Sequence, residues 1–100
     1  MAMAAPPVLM YSKSWCPYCQ RASALLASKG VPFEQIDIEA HPEQRAQMIH
    51  RSGRRTVPQI FIGEHHIGGC DELHELEAAG ALDPLLRGQP VAAQQTRLNP

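Results

Sequence analysis

The chain has 100 residues, of which 44% are hydrophobic and 19% charged, and its formal net charge at pH 7 is -1. This length suits one small domain that buries roughly two-thirds of its unfolded surface, and the apolar content predicts a globular protein rather than a disordered one. The small net charge and an aromatic content of 5% favour neither nucleic acid nor an acidic membrane surface as a partner.

The amino-terminal stretch MAMAAPPVLM lacks a charged region followed by an apolar run, and two prolines interrupt it. It is therefore unlike a secretory signal, and no stretch of the sequence approaches the roughly 20 apolar residues of a membrane-spanning helix. We expect a cytoplasmic location, where neighbouring cysteines are more often catalytic or metal-binding than structural. Because three cysteines cannot all pair within one chain, a disulfide scaffold is excluded.

The chain begins with a predicted strand, helix and second strand. The stretch VLMYSK, residues 8–13, is short and apolar, which is typical of a buried strand. Pro17 suits the first turn of the next helix, and Gly30 suits its end. The alternation of apolar and polar residues in VPFEQIDI, residues 31–38, predicts the second strand.

A second helix, PEQRAQMIHRSG, is predicted to follow, with Ala46 and Ile49 on its buried face and Gly53 at its end. The stretch TVPQIFIG is rich in β-branched residues and gives the strongest strand signal in the chain. The stretch GEHHIGG that comes next predicts a turn that leads into a brief last strand.

Asp71 is expected to cap a third helix, DELHELEAAG, whose Leu73 and Leu76 face inward. One more helical turn follows, in which three leucines pack down: Leu82, Leu85 and Leu86.

The predicted order of elements is β-α-β-α-β-β-α. The first βαβ unit predicts two parallel strands with a right-handed crossover, and the later hairpin adds antiparallel neighbours. We expect one domain at residues 8–87, a flexible amino terminus at residues 1–7 and a flexible polar tail at residues 88–100.

Two of the three cysteines, Cys16 and Cys19, form a C-x-x-C motif between the first strand and the first helix. The free N–H groups of Tyr18 and Cys19 at the helix start can point at the Cys16 sulfur and favour its thiolate. A helix end contributes only about 0.3–1 kcal/mol, so stronger activation needs direct hydrogen bonds or a cation such as Lys13. Cys19 lies one turn further along, where it is better covered and can form a disulfide with Cys16. The motif therefore predicts redox chemistry in which Cys16 attacks and Cys19 resolves.

A zinc site is the alternative use of these cysteines. A structural zinc ion takes four ligands, and the second pair would have to come from His65, His66 or Cys70. The long sequence gap and the bulk of Pro17 and Tyr18 argue against it, and the two histidines are expected at a solvated hairpin tip. No metal is predicted.

The motifs CPYC after YSKSW, then RTVPQIFI, then GGCDEL, resemble the dithiol glutaredoxins of bacterial type over residues 8–87. The resemblance implies an α/β, thioredoxin-like fold with a four-stranded mixed sheet flanked by helices on both faces. It implies glutathione-dependent reduction of protein disulfides and of protein–glutathione mixed disulfides, with Cys16 and Cys19 as the catalytic dithiol. Glutathione would be the reductant, recycled by NADPH and glutathione reductase, with no permanently bound cofactor. The implied partners of a monomeric chain are glutathione and disulfide-containing or glutathionylated proteins.

The resemblance also implies how the cysteinyl part of glutathione is bound. Thr56, Val57 and Pro58 would carry a cis bond before the proline, and the Val57 backbone would pair with the ligand as an added strand does. Tyr18 would flank the sulfur as an aromatic wall. Glu72 stands where aspartate is common in the family, a departure that does not touch the implied chemistry.

The two ends of glutathione would be held by charged groups. Gly69, Cys70 and Asp71 would bind the γ-glutamyl end, with the helix start facing its carboxylate and the Asp71 side chain facing its ammonium. Lys13 and Arg45 would hold the glycyl carboxylate. The Cys70 thiol itself is expected to be inert.

Two other functions remain open at this point. Some glutaredoxins bind a [2Fe–2S] cluster shared by two chains, ligated here by Cys16 and two glutathiones, although Pro17 stiffens the loop and Cys19 competes by forming the disulfide. A thioredoxin-type enzyme, reduced by a flavoprotein reductase, is disfavoured by the glutathione-binding motifs.

Overall fold

The computed structural model describes residues 5–88. Residues 1–4 and 89–100, to which the prediction of flexible termini mostly applies, lie outside the described part. The elements within it are β1 (Val8–Ser12), α1 (Pro17–Ser28), β2 (Glu34–Asp37), α2 (Pro42–Ser52), β3 (Gln59–Ile62), β4 (His65–Gly68), α3 (Cys70–Ala78) and α4 (Leu82–Leu86). None of these helices has the length and apolar character needed to cross a membrane.

The four strands form one mixed sheet in the order β2-β1-β3-β4. The strands β1 and β2 are parallel, with Met10 opposite Gln35, which confirms the predicted parallel pair. The strand β3 runs antiparallel to both β1 and β4. The central position of β1 places its carboxyl end, and the CPYC motif that follows it, beside the start of β3.

One face of the sheet is covered by α1, α3 and α4. Alternate residues of a strand share a face, so Met10 of β1 and Ile60 of β3 project to this side together. They belong to one buried cluster with residues of the three helices, namely Ala22, Leu26, Cys70, Leu73, Leu82, Leu85 and Leu86. The predicted inward packing of Leu73 and of the last three leucines is confirmed.

The opposite face is covered by α2, where Tyr11 and Phe61 pack against Met48. The prediction that Ala46 faces the core is wrong, because Ala46 is exposed and Met48 is fully buried. Positions 46 and 48 lie roughly 200° apart around a helix, so both cannot face the sheet. Ile49 packs at the edge of this cluster as predicted. Helices on both faces of a mixed sheet give the expected thioredoxin-like architecture.

The prediction that Asp71 caps α3 is also wrong. The carbonyl of Gly69 accepts the first helical hydrogen bond, from Leu73 N at 3.0 Å, so Gly69 is the capping residue. The helix therefore begins at Cys70, and Asp71 lies in its first turn, where a negative charge still favours the helix start.

Candidate active site

Cys16 is the capping residue of α1. Its backbone is extended, with φ -109° and ψ 106°, and Pro17 follows as the first helical residue. The Cys19 backbone N–H donates to the Cys16 sulfur at 3.1 Å, which confirms the predicted contact from Cys19. A thiolate accepts such an N–H group better than a thiol does.

The two cysteines of the motif differ in their surroundings. Cys16 is half-buried, whereas Cys19 is buried, as predicted. Burial, followed by the hydrogen bond to Cys16, raises the pKa of Cys19 to about 12. Cys19 is therefore a protonated thiol at neutral pH, and the half-buried Cys16 is the sulfur that a substrate reaches first.

The segment before β3 lies against Cys16. The Val57–Pro58 peptide bond is cis, as the resemblance implies. The Cys16 thiol donates to the Val57 carbonyl at a distance of 3.8 Å, across 41 positions of sequence. The backbone next to the proline thus faces the reactive sulfur.

The start of α3 approaches the same segment. A Cβ atom built on Gly69 would lie 3.3 Å from the Pro58 carbonyl oxygen and 3.3 Å from the Glu72 carboxylate, so glycine gives this close approach more room than any other residue would. The Gly69 N–H donates to Glu72 at 2.7 Å, and this bond lowers the pKa of the Glu72 carboxyl. Arg54 lies 3.7 Å from the same carboxylate.

These segments line an open pocket of about 160 Å³. Cys16 does not itself line the pocket, but its sulfur contacts Val57, which does. Seven residues that the sequence assigned to glutathione binding line it, namely Tyr18, Thr56, Val57, Pro58, Gly69, Cys70 and Asp71. Tyr18 is 56% exposed, so its ring forms an open rim. Three further lining residues, Arg54, Gln59 and Glu72, were not assigned to the site from the sequence.

The two side chains expected at the glycyl carboxylate, Lys13 and Arg45, do not line this pocket. Lys13 lines a separate pocket together with Cys19 and Asp37. Arg45 is exposed on α2 and does not line the pocket beside Cys16. Arg54 is the guanidinium that does line it.

Cys70 lines the pocket, although the residue as a whole is buried. Its sulfur lies 3.5 Å from His74 Nδ1, and burial raises the pKa of the Cys70 thiol. A buried, protonated thiol is a poor nucleophile, which agrees with the expectation that it is inert.

Sequence reasoning missed a buried polar contact next to the pocket. Gln59 is 0% exposed, and its side-chain amide joins Thr56 to His66. His66 belongs to β4 and pairs with Phe61, and the turn of the hairpin falls at Gly63 and Glu64. The prediction that His66 lies at the hairpin tip is therefore wrong. The available signal was a glutamine in a strand whose four residues are all buried, because a buried amide requires partners.

Within residues 5–88, the structure contains no group of three or more His, Cys, Asp or Glu side chains that could hold a metal ion.

The sequence model of the glutaredoxin family matches residues 8–67. The chain belongs to the glutaredoxin family. Glutaredoxins are glutathione-dependent thiol–disulfide oxidoreductases, so the chain is an enzyme of that class. The adjacent positions of Cys16 and Cys19 are consistent with a dithiol glutaredoxin.

Similar proteins extend the match along most of the chain. Glutaredoxin 3 of Escherichia coli (strain K12) is 59% identical over 80 residues, which cover 80% of this glutaredoxin and 96% of the relative. The solution structure of a glutaredoxin from Brucella melitensis is 53% identical, covers 89% of this chain and 98% of its own, and superposes with a TM-score of 0.77. A crystal structure of a buckwheat glutaredoxin–glutathione complex is 36% identical, covers 81% and 76% of the two chains, and has a TM-score of 0.75.

Proposed function

We propose that this glutaredoxin reduces protein–glutathione mixed disulfides and protein disulfides with the Cys16–Cys19 dithiol, using glutathione as the electron donor. The observation that carries the proposal is the position of Cys16. Its half-buried sulfur accepts the Cys19 N–H and lies beside the pocket through its contact with Val57. The buckwheat glutaredoxin, whose crystal structure is a complex with glutathione, supports this ligand class.

The reaction with a mixed disulfide requires two thiol–disulfide exchanges. The Cys16 thiolate attacks the glutathione sulfur, forms a Cys16–glutathione disulfide and releases the protein thiolate, which takes up a proton. The thiolate of a second glutathione then attacks the glutathionyl sulfur. This step yields oxidised glutathione and restores the Cys16 thiolate, so the net reaction converts the mixed disulfide and one glutathione into a protein thiol and oxidised glutathione.

Protein disulfides require Cys19 as well. Cys16 attacks one sulfur of the substrate disulfide, forms a protein–Cys16 disulfide and releases the first protein thiolate. Cys19 then attacks the Cys16 sulfur, which releases the second protein thiolate and leaves a Cys16–Cys19 disulfide. Two glutathiones reduce this disulfide and leave as oxidised glutathione. The hydrogen bond with Cys16 and the charge of Cys16 both raise the pKa of Cys19 in the reduced enzyme. Because both effects end when Cys16 enters a disulfide, Cys19 becomes easier to deprotonate at the moment when it has to attack.

The pocket offers complementary groups for the γ-glutamyl and cysteinyl parts of glutathione. In the proposal, the backbone of Thr56 to Pro58 pairs with the cysteinyl unit, whose sulfur then points at Cys16. The start of α3 at Gly69 to Asp71 binds the γ-glutamyl carboxylate, with the Asp71 side chain facing its ammonium group. The Gly69 N–H is already bonded to Glu72, so the carboxylate would use the N–H groups of Cys70 and Asp71.

Lys13 and Arg45 remain the proposed partners of the glycyl carboxylate, with Tyr18 as the wall beside the sulfur. Arg54 is an additional guanidinium in the pocket, where it pairs with Glu72 at 3.7 Å. In the proposal the enzyme acts as a monomer in the cytoplasm, holds no permanent cofactor and draws its glutathione from the NADPH-dependent reductase.

A kinetic assay with a small glutathione mixed disulfide tests the proposal. Oxidised glutathione is the product, and glutathione reductase with NADPH converts its formation into a measurable loss of absorbance. We expect the wild type to turn over, Cys16→Ser to fall to the uncatalysed rate, and Cys19→Ser to keep much of the activity. With a protein disulfide as substrate, Cys19→Ser should lose dithiol reduction.

The contrary outcomes are specific. Turnover of the mixed disulfide by Cys16→Ser at the wild-type rate would refute the nucleophile assignment. A wild type that reduces protein disulfides with thioredoxin reductase but not with glutathione would refute the proposed electron donor.

A further inference from the structure

The side chain of Gln59 is a fully buried amide at the point where the pocket meets the sheet. Its Nε2 donates to the Thr56 carbonyl at 3.0 Å and to the Thr56 hydroxyl at 3.2 Å. Its Oε1 lies 2.7 Å from Nε2 of His66. A buried amide that lost these partners would carry the full cost of its desolvation, so the three contacts hold the side chain in one orientation.

The protonation of His66 follows from this arrangement. A backbone carbonyl only accepts hydrogen bonds, so the Gln59 group that faces the Thr56 carbonyl has to be the NH₂. The oxygen of the amide therefore faces His66, and the His66 Nε2 has to carry the proton that it donates. The direction of donation runs from His66 to Gln59 and from Gln59 to Thr56.

His66 is itself held in place by the sheet. Its ring lies on that of Phe61, with centroids 4.9 Å apart and an interplanar angle of 31°. Phe61 is buried in β3 and also contacts Arg51, whose guanidinium carbon lies 4.2 Å from the ring centroid. The donor end of the chain of hydrogen bonds is thus fixed by packing, although His66 itself is exposed.

We infer that Gln59 and His66 are positioning residues of the glutathione site. They act on the segment from Thr56 to Pro58, whose Val57 carbonyl lies 3.8 Å from the Cys16 sulfur. The amide of Gln59 fixes the Thr56 carbonyl relative to β3, and His66 keeps the NH₂ group of that amide turned toward Thr56. The inference rests on the proposed function, because it assigns these residues to the binding of the same ligand.

Variants at position 66 separate the hydrogen bond from the presence of a histidine. His66→Gln carries an N–H donor at about the reach of His Nε2, whereas His66→Leu has none. His65→Leu is the matched control, because it removes the neighbouring exposed histidine of β4. Gln59→Glu keeps the size and the acceptor of the side chain but places a carboxylate oxygen against the Thr56 carbonyl.

Two measurements are made on each variant. The first is KM and kcat for a glutathione mixed disulfide, and the second is the amide proton and nitrogen chemical shifts of Thr56 and Val57. We expect His66→Leu and Gln59→Glu to raise KM by roughly fivefold to tenfold, the effect of losing one or two such bonds, with a smaller change in kcat. The shifts should move in both variants, and His66→Gln should restore KM and the shifts.

The inference is overturned if His66→Leu has the same KM and the same Thr56 and Val57 shifts as His65→Leu. It is also overturned if His66→Gln fails to restore either of them, since the donor would then be irrelevant. If Gln59→Glu does not fold, the His66 variants still test the inference, because position 66 is exposed. A wild type without glutathione turnover would refute the proposed function, and the chemical shifts would still test whether His66 positions the Thr56 segment.

Discussion

The backbone N–H of Cys19 lies 3.1 Å from the sulfur of Cys16. The two residues also differ in solvent exposure, since Cys19 is 1% exposed while Cys16 is half-buried. One residue thus supplies a hydrogen bond that favours the thiolate of the other, and its own thiol stays covered and protonated. In the proposed mechanism, this asymmetry makes Cys16 the attacking sulfur and Cys19 the resolving one, since the C-x-x-C spacing alone does not distinguish the two sulfurs.

Alkylation tests that asymmetry directly. With limiting iodoacetamide at pH 7, we expect the native, reduced chain to gain one label, on Cys16. Burial raises the pKa of Cys19 to about 12 and also raises that of Cys70, so both remain thiols and react slowly. Peptide mass spectrometry locates the label, and the denatured chain, in which all three cysteines should react, is the control. Labelling of native Cys19 or Cys70 at the rate of Cys16 would contradict the assignment.

Gly69→Ala tests the close approach of α3 to the segment before β3. The new Cβ would lie 3.3 Å from both the Pro58 carbonyl oxygen and the Glu72 carboxylate, so these pocket-lining neighbours would have to shift by a few tenths of an ångström. We expect KM for a glutathione mixed disulfide to rise roughly tenfold, which corresponds to a displacement cost of about 1.4 kcal/mol.

Gly80→Ala is the matched control for that experiment. Its Cβ would meet nothing within 4 Å, but the φ of +74° makes alanine strained there. We expect it to lose about 1–2 kcal/mol of unfolding free energy without a change in KM. Equal KM values for the two alanine variants would show that the Gly69 contact does not shape the pocket.

Glu72→Gln tests the carboxylate that accepts the Gly69 N–H. This hydrogen bond lowers the pKa of Glu72, so the folded state releases the proton at lower pH than the unfolded state does. The stabilisation is therefore present above the ordinary value of 4.5 and is lost as pH falls through the lower folded pKa. We expect the variant to be less stable than wild type at pH 7, by about 0.5 kcal/mol for a half-exposed group.

The pH dependence is the decisive part of that prediction. Urea unfolding at pH 7 and at pH 3 should show the difference between wild type and Glu72→Gln shrinking at the lower pH. A difference that stays constant or grows on acidification would mean that the charge of Glu72 is not what stabilises the start of α3.

Lys29→Met tests the contact between the end of α1 and the two last helices. The ammonium of Lys29 lies 2.6 Å from Glu77 and 2.9 Å from Asp83. The hydrogen bond to Glu77 has the largest effect on the pKa of Lys29, and it and the bond to Asp83 both raise that pKa. We expect the midpoint of thermal unfolding to fall, and the difference from wild type to narrow in high salt because solvent ions screen the pairs. Glu77→Gln and Asp83→Asn, each removing one partner, should give smaller decreases, and an unchanged midpoint in Lys29→Met would contradict the role of this ion pair.

Met48→Ala tests which face of α2 packs on the sheet. Met48 is fully buried against Tyr11 and Phe61, so its truncation should cost about 2–5 kcal/mol of unfolding free energy. Ala46→Ser changes an exposed position of the same helix and should cost less than about 0.5 kcal/mol. Chemical denaturation measures both, and similar losses in the two variants would show that the buried face is misplaced.

Local patterns were sufficient for much of the fold. The apolar run of β1, the proline at the start of α1 and the glycines that follow α1 and α2 act within a few residues, so their structural effect is readable in the chain. The face of α2 was misjudged because its only fully buried residue is a single methionine, which leaves a weak periodic pattern. The cap of α3 was misplaced by two residues because Gly69, which has no capping side chain, provides the cap through its backbone.

The sequence by itself determined that Cys16 stands between a strand and a helix with Cys19 one turn later, because both facts depend on neighbours in the chain. Only the tertiary structure decided what surrounds that sulfur. Val57 reaches Cys16 across 41 positions, and the Gln59 amide finds His66 because β3 and β4 pair in one register. The same packing puts Arg54 in the pocket and leaves Lys13 and Arg45 outside it. The sequence did not predict this, because the local pattern around a charged residue does not show which surface its side chain will face.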